Sequence, residues 1–113
     1  MQNNTITYIE FKSTDIAETK IFYSNVFGWT FKDFGEQYTS FADSGVMGGF
    51  EQTDENIQNS ILIVLYYDNL DEVQQKIIDA GGKISKEVFE FPGGKRFHFT
   101  DPSGNELAVW SDK

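Results

Sequence analysis

The sequence predicts an α+β fold built from two βαβββ modules, and three observations lead there. The chain has 113 residues, 39% hydrophobic and 16% aromatic, enough for a core without outside help. Two segments match each other without a gap: YIEFKSTDIAETKIFYSNVFGWTF from Tyr8 and LIVLYYDNLDEVQQKIIDAGGKIS from Leu62. Each copy reads as strand, cap, helix, glycine and strand, and two further strand patterns follow each copy. One module alone would expose a wide apolar sheet face, so the two are expected to share one domain over residues 1–113. Module one is placed at about 5–52, a linker at 53–60 and module two at about 61–111.

The elements follow in order. Ile9 and Phe11 alternate with Tyr8 and Glu10, which is a half-buried first strand. Asp15 with Glu18, and Asn69 with Glu72, have capping-box spacing. The helices then carry apolar stripes: Ile16, Phe22, Tyr23 and Val26 in the first, Leu70, Val73, Ile77 and Ala80 in the second. Gly28 is a weak helix stop and Gly81-Gly82 a strong one. Strands are expected over 29–34, 37–42 and 46–52 in module one, and over 83–85, 95–100 and 105–110 in module two. The stretches 91–94 (FPGG) and 101–104 (DPSG) read as turns.

Composition limits the function. The net charge of −9 disfavours nucleic acid and anionic membranes and favours a cationic small molecule or a basic partner. The chain has no cysteine, which excludes disulfides, thiolate metal sites and a cysteine nucleophile. MQNNTITYIEF lacks the pattern of a signal peptide, and the longest apolar run, ILIVLYY, is too short to cross a bilayer. A cytoplasmic protein is expected.

Parity sorts the strand residues between two faces. Curved sheets with helices on their outer faces would enclose a concave trough. Its expected ligand-binding lining is Tyr8, Glu10, Met47, Glu51, Leu62, Val64, Tyr66, Glu106 and Trp110, with Gly49 and Ala108 between them. Glu10 stands out, because a buried carboxylate is costly unless paired, and it could hold a cation or act as a base. His98 is the one histidine, and it reads as a partly exposed strand residue with no carboxylate nearby in sequence on its face. Asp101 reads as a turn former, and Lys95 with Arg96 as part of a hairpin tip.

DIAETKIFYSNVFGW resembles the first-helix signature of the vicinal oxygen chelate superfamily, and FTDPSGNELAVW resembles its final hairpin. That superfamily includes glyoxalase I, bleomycin-resistance proteins, fosfomycin-resistance enzymes and extradiol dioxygenases. The resemblance implies paired βαβββ modules, a homodimer and, in the metal enzymes, ligands on the first and fourth strand of each module. Those positions match Tyr8, Gly49, Leu62 and Ala108, of which only Tyr8 has a donor side chain. No metal or other cofactor is expected at the family site. The leading expectation is therefore a protein of the bleomycin-resistance type that binds a small cationic or aromatic molecule. The alternative is a glyoxalase-like lyase or isomerase, using a carboxylate base or a divalent ion shifted to Glu10, Glu51 and Glu106. A third reading is a ligand-free interaction module.

Overall fold

A computed structural model describes residues 1–55 and 61–113. Within them the chain forms eight strands and two helices. They fall into two compact units, Tyr8–Leu62 and Met1–Thr7 with Ile63–Lys113. Residues 53–55 of the expected linker are described; the rest of it, 56–60, lies outside the described residues. Among the described residues no helix is long and apolar enough to cross a membrane.

The first module runs β1 (Thr5–Ser13), α1 (Ile16–Phe27), β2 (Thr30–Asp33), β3 (Tyr38–Ala42) and β4 (Gly48–Gln52). Its strand order is β2-β3-β4-β1, with β1 and β4 parallel and the other pairs antiparallel. Asp15 caps α1 by accepting the Glu18 N–H at 3.0 Å. Gly28 closes the helix in the left-handed region at φ 73°, where a side chain would be strained, so it is the firm stop that the sequence undervalues. Under α1 the core is aromatic. Phe11 stacks on Phe50 at 5.3 Å, Phe50 meets Tyr23 of α1 at 5.3 Å, and Trp29 packs between Tyr23 and Phe41.

The expected stripe of α1 is half wrong. Ile16 is buried and Tyr23 half-buried, but Phe22 and Val26 are exposed. The reason is angular: at roughly 100° per residue, Tyr23 falls about 20° from Ile16 around the helix, whereas Phe22 falls about 120° away.

The second module repeats the plan with β5 (Leu62–Tyr66), α2 (Leu70–Asp79), β6 (Lys83–Phe91), β7 (Gly94–Thr100) and β8 (Glu106–Ser111). Its order, β5-β8-β7-β6, is the order of the first module read from the other side. Asn69 caps α2 as Asp15 caps α1, accepting the Glu72 N–H at 3.1 Å. Tyr67, Leu70, Phe97 and Val109 form the core, with Val73 and Ile77 of α2 packed against it.

β6 extends to Phe91, six residues beyond the expected end at Ser85. The expected four-residue turn is a two-residue one, Pro92-Gly93, with Gly93 at φ 117°. Phe89 and Phe91 are thereby in the sheet, one pairing with Arg96 and the other with Gly94. Two register irregularities, between Ile84 and Phe89, hide the alternation that would have marked a strand. Asp101 behaves as expected: it accepts the N–H groups of Ser103 and Asn105 and the Asn105 side-chain amide, each at 2.9 Å.

Candidate functional site

In the first module, register decides which side chains share a face. Glu10 pairs with Gly49, Lys12 with Glu51, Tyr38 with Glu51 and Ser40 with Gly49. Phe11 and Phe50 point to α1, so Tyr8, Glu10, Lys12, Tyr38, Ser40 and Glu51 occupy the opposite face. The parity assigned to Tyr8, Glu10 and Glu51 is the observed one. Met47 precedes β4 instead of lying within it, and it is exposed.

Glu10 is only 4% exposed, the most deeply placed ionisable side chain on this face. The Tyr8 and Tyr38 hydroxyls lie 2.7 Å apart. Burial pushes the Tyr38 phenol far above its ordinary value, and the Glu10 charge and a hydrogen bond with Tyr8 push the same way, as does hydrogen bonding to Glu10. Each phenol has one proton to donate. If Tyr38 donates to the carboxylate, Tyr8 must donate to Tyr38, which makes a chain of three groups that can pass a proton or orient a polar ligand.

Glycine makes room for this chain. A Cβ on Gly49 would stand 2.5 Å from the Tyr38 hydroxyl and 2.7 Å from two of its ring carbons. The phenol thus fills the space that a side chain at 49 would need. Glu51 is ion-paired with Lys12. Tyr38 and Lys12 were missed by the sequence reading. The alternation Tyr38-Thr39-Ser40-Phe41, with Phe41 in the core, carried the signal for Tyr38.

In the second module Val64 pairs with Ala108, Tyr66 with Trp110, His98 with Ala108 and Arg96 with Trp110. These side chains, with Glu106, occupy the face opposite α2, again in the expected parity. Val64, Tyr66 and Ala108 are buried and Trp110 half-buried. Leu62, at the start of β5, is half-buried. The Tyr66 hydroxyl donates to Asp112 at 2.5 Å, raising the phenol and lowering the acid. His98 has a carboxylate in reach that is not its neighbour in sequence: its Nδ1 lies 3.7 Å from Glu106, which sits across the β7–β8 ladder and also accepts from Ser85 at 2.9 Å. Arg96 lies inside β7, within the strand expected over 95–100. Among the described residues no three His, Asp or Glu side chains gather into a metal-sized cluster.

The sequence profile of the Glyoxalase/Bleomycin resistance protein/Dioxygenase superfamily matches residues 5–109. The chain belongs to this superfamily. Among its curated relatives is CFP32 of Mycobacterium bovis and Mycobacterium tuberculosis, described as a candidate glyoxylase and 25% identical over 96% of this chain. The chain spans 46% of that relative's length, about half. Solved structures of similar form include a Mn(II)-bound glyoxalase from Novosphingobium aromaticivorans, 27% identical, with a TM-score of 0.71 over 98% of this chain and 40% of that one. They also include the Bacillus halodurans protein BH1468, which has a TM-score of 0.78 at 13% identity over 99% of this chain and 96% of that one. The second likeness is one of fold alone. Superfamily membership accounts for the repeated βαβββ plan and leaves the chemistry to the side chains described above.

Proposed function

We propose that this member of the superfamily binds a small cationic or aromatic molecule, and that Glu10 anchors its positive charge. The observation that carries the reading is the Glu10 carboxylate, nearly buried and joined to the Tyr38–Tyr8 pair. A carboxylate held by phenols in a partly dry setting attracts a cation more strongly than one in water, and the phenol rings offer faces for a quaternary ammonium group. The net charge of −9 would draw such a ligand in. Tyr8, Glu10, Met47 and Glu51 are the proposed ligand contacts of the first module, and Leu62, Val64, Tyr66, Glu106 and Trp110 are proposed for the second module by itself.

The metal implied by the superfamily does not fit the residues present. The matched positions are Tyr8, Gly49, Leu62 and Ala108. The room beside Gly49 is filled by the Tyr38 phenol, Ala108 is fully buried, and leucine has no lone pair to give. Binding without a resident metal is part of the proposal. Calorimetric titration with benzyltrimethylammonium tests it: the wild type should bind, and Glu10→Gln should weaken binding about tenfold or more. Equal binding by the two proteins would refute the assignment to Glu10.

The Tyr8–Tyr38–Glu10 chain also favours a second reading, a proton-transfer enzyme with Glu10 as the base. The Mn(II)-bound glyoxalase is a reason to assay glyoxalase-type isomerisation first. Turnover by chelator-treated protein, abolished in Glu10→Gln, would favour this reading. A homodimer is likewise proposed, and light scattering against the 12.9 kDa chain mass tests it.

A further inference from the structure

Helix α1 leaves an apolar face in solvent that the reading of Glu10 does not use. Ile21, Phe22, Val26 and Phe27 are each more than half exposed. Phe22 and Val26 stand about one turn apart on one ridge, Ile21 and Asn25 on the next, and Phe27 extends the surface at the C-terminal end. Buried Ile16 and half-buried Tyr23 point the other way, and through them α1 packs on the sheet of its own module.

The fold itself does not ask for apolar residues on that face. In the repeat that sets Tyr8 against Leu62, Ile21 falls on Gln75, Phe22 on Lys76 and Asn25 on Asp79. Those three α2 residues are exposed, and Gln75 donates to Asp79 at 2.8 Å, as on an ordinary solvated helix face. The same helix position thus carries polar and charged side chains in one module and large apolar ones in the other.

We infer that the outer face of α1 is the contact between two copies of this chain, with the helices antiparallel across a two-fold axis and Phe22 of each copy against Val26 of the other. The inference rests on the proposed homodimer and names its contact face. Charge favours a second copy as the occupant. Each patch meets itself across a two-fold axis, so any charge on it would face its like. In a chain of net charge −9, no charged side chain stands between Lys20 and Lys32, and Glu18 lies one turn before Phe22, at the rim. A basic partner would find few carboxylates here, and an anionic membrane would find no cations between those two lysines. Area favours it as well. The four apolar residues expose roughly 500 Å², towards the upper end for the largest patch of a monomer. That is more than half of the roughly 800 Å² per partner in a standard interface. Exposed and uncharged Ala17, Ser24 and Asn25 flank them.

Sedimentation equilibrium of the full chain is the test. The wild type should sediment at twice the 12.9 kDa chain mass. The double variant Ile21→Gln/Phe22→Lys gives α1 the residues that α2 already displays, so the fold should be kept, which circular dichroism checks. It should raise the dimer Kd about thirtyfold or more, because each substitution occurs twice across the axis. Val26→Ala should raise it less, and Ile78→Gln, an exposed apolar residue of α2, should leave it unchanged. An unchanged Kd in the α1 variants, or an equal rise in Ile78→Gln, would overturn the inference and leave the homodimer reading standing. A wild type that stays monomeric would overturn both. Binding of that monomer to phosphatidylcholine vesicles would assign the face to a lipid surface instead.

Discussion

The Tyr8 hydroxyl stands 2.7 Å from the Tyr38 hydroxyl, and burial, followed by the charge of the nearly buried Glu10 carboxylate, raises the Tyr38 phenol. The arrangement has a consequence at high pH. A phenol whose folded value is raised contributes stability that is intact below its ordinary value of 10.0 and is lost as the pH rises beyond it. Wild-type stability should therefore fall more steeply above that pH than the stability of Tyr38→Phe. In the folded protein, absorbance titration of the two should show the same number of tyrosines ionising in the ordinary range. Loss of one ionising tyrosine in Tyr38→Phe would mean that Tyr38 titrates as an ordinary phenol.

The adjacent glycines of β4 should differ in tolerance. A Cβ on Gly48 would collide with the Ile9 carbonyl oxygen and the Phe41 ring, neither of which can move without disturbing β1 or the core. The three atoms nearest a Cβ on Gly49 all belong to the far end of the Tyr38 side chain. Gly49→Ala should cost about 1–3 kcal/mol and Gly48→Ala more, as measured by urea denaturation. The reverse ranking would show that Tyr38 is held more rigidly than the backbone of β1.

The two caps should be worth about the same. Asp15→Ala and Asn69→Ala each remove one side-chain acceptor from the N–H three residues on, and each should cost about 1 kcal/mol in chemical denaturation. A negligible cost for Asn69→Ala would mean that α2 is fixed by its packing alone.

The Asp101 turn should show acid dependence. Hydrogen bonds from the Asn105 side chain and backbone, and from Ser103, hold the Asp101 carboxyl below its ordinary value of 3.8. Its contribution is therefore present above that value and lost as the pH falls through the lower, folded one. Asp101→Ala should reduce Tm at neutral pH, and the gap to wild type should narrow as the pH drops below 3.8. A gap independent of pH would assign the effect to the shape of the turn and not to the charge.

Much of the fold was legible because local signals agreed with one another. Asp15, Glu18 and Gly28 bracket α1, and Asn69 with Glu72 opens α2, all within reach of adjacent backbone groups. The parity of Glu10, Val64 and Trp110 followed from strand alternation. What stayed hidden depended on distant partners or on irregular geometry. The bulged β6 concealed Phe89 and Phe91, and with them the setting of Arg96. Tyr38 acquires its meaning only from the register that places it against Gly49 and Tyr8. Phe22 and Val26 show the converse error, apolar residues read as core that the helix turns outward.

The central claim is that Glu10, with Tyr8 and Tyr38, anchors a cationic ligand without a resident metal. Calorimetric titration of benzyltrimethylammonium into chelator-treated protein, with and without added Mn(II), tests it most directly. The account predicts saturable binding in both samples and its loss in Glu10→Gln. Binding that appears only with Mn(II), or no binding by either sample, would contradict it.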